Sequence, residues 1–135
     1  DLMRHFFGVP HTAKGISYNH GNHYNADDVV SGTALLSNNI IFRGFWHFNA
    51  TETAKEDVCE IWGTRGKLRF SVFGPQVIEL VTDDETNTFT FEPPQHVQQP
   101  MIEKVVAFFN GKGENPCSAA EGVQVMQWMD DFTRK

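Results

Sequence analysis

The chain has 135 residues, enough for one domain with its own core. Its 40% hydrophobic, 13% aromatic and 21% charged residues are those of a folded globular protein and not of a disordered one. A formal net charge of −6, with Lys and Arg dispersed, argues against nucleic acid or an anionic membrane as the main partner and suits a neutral polar small molecule. Cys59 and Cys117 form no CxxC unit and read as free thiols. No apolar run reaches the roughly 18 residues of a membrane span, and the compartment is left open with the cytoplasm preferred.

In chain order, Leu2, Met3, Phe6 and Phe7 recur at helical spacing and Gly8-Val9-Pro10 stops them. There is no room for a cap before them, so the expectation is a helix cut from a longer chain. Residues 11–18 read as a strand, and Asn19 to Asn25 (NHGNHYN) as a polar loop. Asp28 to Leu36 and Ile40 to Phe48 flank a tight turn at Ser37-Asn38-Asn39. A second hairpin joins Val58–Trp62 to Lys67–Phe73 through Gly63-Thr64-Arg65-Gly66. A third joins Val77–Thr82 to Thr86–Phe91 through Asp83-Asp84-Glu85. About seven strands are expected.

Past Pro93-Pro94 the period lengthens. Ile102, Val105, Val106 and Phe109 mark a helix with Pro100 near its start and Gly111 at its end. Ser118-Ala119-Ala120-Glu121 is a capping-box pattern, after which Val125, Met126, Met129 and Phe132 form an apolar stripe. Strands followed by helices predict an α+β domain, a largely antiparallel open sheet with helices on one face. Phe42, Trp46, Phe48, Leu68, Phe70 and Val72 are expected under the helices. Arg43, Phe45, His47, Glu60, Trp62, Arg69 and Phe73 then point away, and that mixture of Arg, aromatics and charge has the composition of a protein interface.

Candidate chemistry is sparse. His20 and His23, with Asp27 or Asp28, could approach a metal, but two ligands on a loop read first as a polar loop. The pairs Asp27-Asp28, Asp83-Asp84 and Asp130-Asp131 read as solvated turn or helix-end residues, because neighbours in sequence point apart. Cys59 alternates with Ile61 onto the buried side of a strand. Cys117 precedes a helix N-terminus without an assignable base. His96, before the helix that begins near Gln98, could face a cleft and bond a sugar hydroxyl, while Glu103 and Lys104 belong to a solvated face.

Three segments in register, Asp1-Leu2-Met3-Arg4-His5-Phe6-Phe7-Gly8, Glu60-Ile61-Trp62-Gly63-Thr64-Arg65-Gly66 and Cys117-Ser118-Ala119-Ala120-Glu121, resemble the C-terminal domain of the Gfo/Idh/MocA oxidoreductases. This is the family of glucose-fructose oxidoreductase and inositol dehydrogenase, and the resemblance covers nearly the whole chain. It implies a separate N-terminal Rossmann domain that holds NAD or NADP and a catalytic Lys, with a sugar or polyol between the two domains. It also implies a homodimer through the sheet. The family's D-x-x-x-H pair would precede Asp1. Gly111-Lys112-Gly113 follows a helix and lacks the strand of a phosphate loop, so no catalytic or cofactor residue is expected here. The implied role is a substrate-closing and oligomerisation domain, inactive in isolation. The other reading is a free-standing binding module that grips a partner with its sheet face.

Overall fold

The computed structural model describes residues 1–134. Seven strands and three helices form: α1 (Leu2–Phe7), β1 (Thr12–Tyr18), β2 (Val29–Leu35), β3 (Ile41–His47), β4 (Cys59–Gly63), β5 (Gly66–Phe70), β6 (Val77–Val81), β7 (Thr86–Thr90), α2 (Gln99–Phe109) and α3 (Ala119–Thr133). The residues segregate into two compact units, 1–51 with 117–134, and 52–116. The first holds the antiparallel sheet β1-β2-β3 and the second the antiparallel sheet β4-β5-β6-β7. The architecture is α+β with open antiparallel sheets. Within each sheet the strands pair in sequence order, and the ladder is interrupted between β3 and β4.

In the first unit, alternation puts Ala13, Gly15 and Ser17 of β1, Val30, Gly32 and Ala34 of β2, and Phe42, Gly44 and Trp46 of β3 on one face. Their register sets Gly15, Gly32 and Gly44 side by side across the three strands. Phe132 of α3 sits on this row. A Cβ on Gly32 would fall 2.6 Å from the Phe132 ring, and one on Gly15 would fall 2.5 Å from the Phe132 carbonyl oxygen. The helix therefore rests on bare backbone. Above it Phe42 stacks on Phe132 and meets Trp128 edge-on, at centroid distances of 6.2 and 5.5 Å. Ala34, Leu36, Trp128 and Phe132 are buried, with Met3 and Phe7 of α1 packed against them.

The start of α3 is fixed by the expected capping box. Ser118 Oγ accepts from the Glu121 N–H at 3.3 Å, and the Glu121 carboxylate accepts from the Ser118 N–H at 2.7 Å. Arg4 of α1 pairs with the same carboxylate at 3.0 Å and donates to Gln124 Oε1 at 3.0 Å. The Ser118 hydrogen bonds, with Arg4 behind them, hold the Glu121 carboxyl below the usual carboxylate range.

In the second unit the β4–β5 hairpin closes at paired Gly63 and Gly66, the latter at φ 142°. Thr82 and Glu85 exchange hydrogen bonds around the acidic β6–β7 turn. The expected strand to Phe73 stops at Phe70. The Asp57 carboxylate accepts from the Val72 and Phe73 N–H groups at 3.1 and 2.6 Å, which takes both out of the ladder. Val72 is consequently half exposed, and Phe48, one residue past β3, is 70% exposed instead of covered. The α2 helix forms where its spacing predicts but buries none of its residues.

Phe132→Ala should cost about 3–5 kcal/mol in denaturant unfolding. Gly32→Ala should cost about 1–3 kcal/mol because the new methyl meets the ring. In the Phe132→Ala background Gly32→Ala should cost much less, since its obstacle is gone. Additive losses would show that the ring does not rest on Gly32.

Candidate functional site

The strands that bury one face of the first sheet present the other to solvent. Paired rows place Lys14, Thr33 and Arg43 in line, then Ile16, Ser31 and Phe45, then Tyr18, Val29 and His47. Arg43, Phe45 and His47 thus share one exposed face, as their alternation predicts. Ile16, Tyr18, Ile41 and Phe45 on it are 79%, 63%, 80% and 67% exposed. The sequence reading missed Ile16, Tyr18 and Ile41. The signal was there in the alternation of Ile16 and Tyr18 with Gly15 and Ser17, once β1 is taken as a strand with a small-residue inner face.

In the second unit Glu60 faces Arg69, and Arg69 faces Glu79, with Trp62 and Lys67 in the next row. Lys67 Nζ lies 2.9 Å from Glu60 and 4.7 Å from the centre of the Trp62 ring, and Arg69 is 3.9 Å from Glu60. Lys67 above all, with Arg69 behind it, holds the Glu60 carboxyl below its ordinary range. Glu60, Trp62 and Arg69 therefore share one face, with Trp62 74% exposed. Phe73 lies beyond the strand in the segment fixed by Asp57, 94% exposed.

Asp28 corrects the expectation of a solvated turn residue. It is buried, because its two carboxylate oxygens accept from the His20 and Gly21 N–H groups at 2.7 and 2.8 Å. Its own N–H and carbonyl bond Tyr18 and Phe48. The carboxyl is held below the usual range, chiefly by the His20 N–H, against the opposing effect of its burial. Asp27 instead accepts from Ser17 Oγ at 2.6 Å. His20 and His23 stay in this loop, and among the described residues no three His, Cys, Asp or Glu side chains gather as a metal site. Burial raises the Cys59 thiol, aided by Asp57 and Glu60, and Cys117 is exposed. His96 is exposed in the segment between β7 and α2, its carbonyl accepting from the Gln99 N–H.

No family model matches the chain. Oxidoreductase P35 of Formosa agariphila is 40% identical over 132 residues, 98% of this chain and 40% of that protein. An oxidoreductase from Agrobacterium radiobacter, solved in complex with NAD+, L-tartaric acid and magnesium, superimposes on 96% of the chain with a TM-score of 0.77 at 14% identity, over 42% of its own length. The chain is thus similar in sequence to part of an oxidoreductase and shares the fold of part of another. Biliverdin reductase from Synechocystis, solved with biliverdin and NADP+, shares the fold at a TM-score of 0.73 and 10% identity over 95% of this chain and 40% of its own. The chain spans about 40% of the length of these relatives.

A nicotinamide dinucleotide, as in the two solved structures of this fold, does not fit the residues present here. A pyrophosphate needs free backbone N–H groups at a helix N-terminus after a parallel strand. All strand pairs here are antiparallel, and the first turn of α3 already holds the Glu121 carboxylate. The Gly111 and Lys112 N–H groups of the Gly-Lys-Gly segment donate to the Phe108 and Ala107 carbonyls at the end of α2. The hollow of about 290 Å³ beside α3 is lined mainly by apolar groups, Phe42, Trp46, Trp128 and Phe132 among them.

Because the folded state lowers the Asp28 pKa, its stabilisation is complete above the ordinary aspartate value of about 3.9 and fades as pH falls through the lower folded value. Asp28→Asn should therefore melt at a lower temperature than the parent chain at pH 7. The gap should narrow steadily below about pH 4. A gap independent of pH would remove the carboxylate from the account.

Proposed function

We propose that this domain closes over a sugar or polyol held against a nicotinamide in a separate cofactor domain, and that it joins two copies of the enzyme through its exposed sheet faces. The 40% identity to an oxidoreductase of which the chain matches only 40% is the observation that carries the reading. The resemblance assigns the catalytic Lys and the nicotinamide to the cofactor domain, and the residues here do not fit a dinucleotide. On this reading the chain on its own is expected to bind no nicotinamide and to oxidise no sugar. His96, exposed between β7 and α2, is the group proposed to meet a substrate hydroxyl.

Joining copies is the second half of the role. Arg43, Phe45 and His47 on one sheet, and Glu60, Trp62 and Arg69 on the other, present large apolar side chains beside charge, and Phe73 adds a further exposed ring. Patches of that kind on a soluble protein are usually covered by a partner.

Calorimetric titration of the chain with NAD(H) and NADP(H) should show no saturable binding tighter than about 100 μM. A tighter isotherm would place a cofactor site within these residues. Light scattering of the parent chain at tens of micromolar should give a dimer, and Trp62→Glu, which sets a charge in the contact, a folded monomer. A Trp62→Glu dimer would remove Trp62 from the interface.

A further inference from the structure

The hollow beside α3 has no part in the role proposed above. Its lining residues all fall within 1–51 and 117–134, so it is complete inside the first unit. Phe42, Trp46, Trp128 and Phe132 contribute their rings to its wall, and Val125 and Met129 of α3 add aliphatic surface. Each ring meets at least two of the others, at centroid distances of 5.5 to 6.2 Å. The wall is preformed, since Trp46 lies folded over Gly44 of its own strand, in the space that a Cβ there would need. No Lys, Arg or His side chain lines the hollow, and the Thr133 hydroxyl is already engaged with the Met129 and Asp130 carbonyls. An anion or a sugar rich in hydroxyls would lose its water there without gaining partners.

One polar group of the wall is unmatched. Trp128 is 6% exposed, and its indole N–H is buried with no hydrogen-bond partner among the described residues. An indole nitrogen can only donate, and buried tryptophans ordinarily find an acceptor. A donor shut away from both water and protein costs stability, which an acceptor brought in by a ligand would restore. We propose that this hollow is a binding site for a small neutral aromatic compound with one acceptor oxygen, its ring lodged among Phe42, Trp46 and Phe132 and its oxygen accepting from the Trp128 N–H. A volume of about 290 Å³ lies at the small end of ligand pockets, which suits a single substituted ring.

Acetophenone, a ring with a carbonyl oxygen, and toluene, a similar ring without one, are the probes. The chain has three tryptophans, so nitrogen-15 NMR shows three indole N–H signals, and Trp128→Phe assigns the one from Trp128. Acetophenone should bind the parent chain saturably, with a dissociation constant of about 1 mM or tighter, and move the Trp128 signal downfield as its hydrogen bond forms. Toluene should bind without that downfield movement. Trp128→Phe should weaken acetophenone about tenfold while changing toluene far less, so that the loss belongs to the oxygen and not to the shape of the hollow. Val125→Phe, which fills the hollow, should abolish binding of both. Circular dichroism melts establish that the variants fold, and if either does not, the comparison of the two probes on the parent chain decides alone. The proposal is overturned if acetophenone binds no tighter than about 10 mM, if toluene moves the Trp128 signal as acetophenone does, or if folded Val125→Phe binds acetophenone like the parent.

Discussion

The contact of the Phe132 ring with the backbone of Gly15 and Gly32 is the constraint on which the first unit depends. A helix packed on a sheet normally stands off by a layer of side chains, and here that layer is missing along one row. The last turn of α3 comes close enough for Phe42, Trp46 and Trp128 to gather round a single ring, so one aromatic cluster forms most of a core with few fully buried residues. Both ends of α3 are thereby fixed, the start by Ser118, Glu121 and Arg4 and the end by the glycine row. The rest of the inner face has only to fill the space between.

That arrangement has a consequence for the opposite face. Strands held flat against a helix by their glycines keep a regular alternation, and alternation forces the residues between the glycines outward. Lys14, Ile16, Arg43 and Phe45 face outward because Gly15, Gly32 and Gly44 are not free to be anything larger. The surface proposed to join two copies is thus set by the same register that seats α3. Its positive charge stands apart from the acidic character of residues 52–116.

Much of this was readable from the chain. The three hairpins, the capping box at Ser118 and Glu121 and the helix ending at Gly111 follow from local rules, because turn residues and caps act within a few positions. The grouping of Arg43 with Phe45 and His47, and of Glu60 with Trp62, followed from a period of two. What could not be read were effects acting across loops. Asp57 reaches fifteen residues forward to lift Val72, with Phe73 beside it, out of a strand whose pattern continues through them. Asp28 looks like any turn aspartate until its two oxygens are seen to bind main-chain N–H groups. The amphipathic spacing of α2 predicts a helix correctly but does not tell whether its apolar side is covered. The division of the strands into two sheets carries no local signature either, since each hairpin pairs by the same rules on both sides of the break.

The Asp28 clamp touches only the backbone of His20 and Gly21, and its own main chain is tied to Tyr18 and Phe48. The loop between β1 and β2 is therefore anchored at its base without using a side chain from its tip. Positions 23–26 can be rewritten while Gly21, Asp28 and Asn22, the last at φ 54°, are kept, and the strands beneath would keep their register. Such a loop behaves as a socket for interchangeable sequence, with no change to the scaffold that bears it.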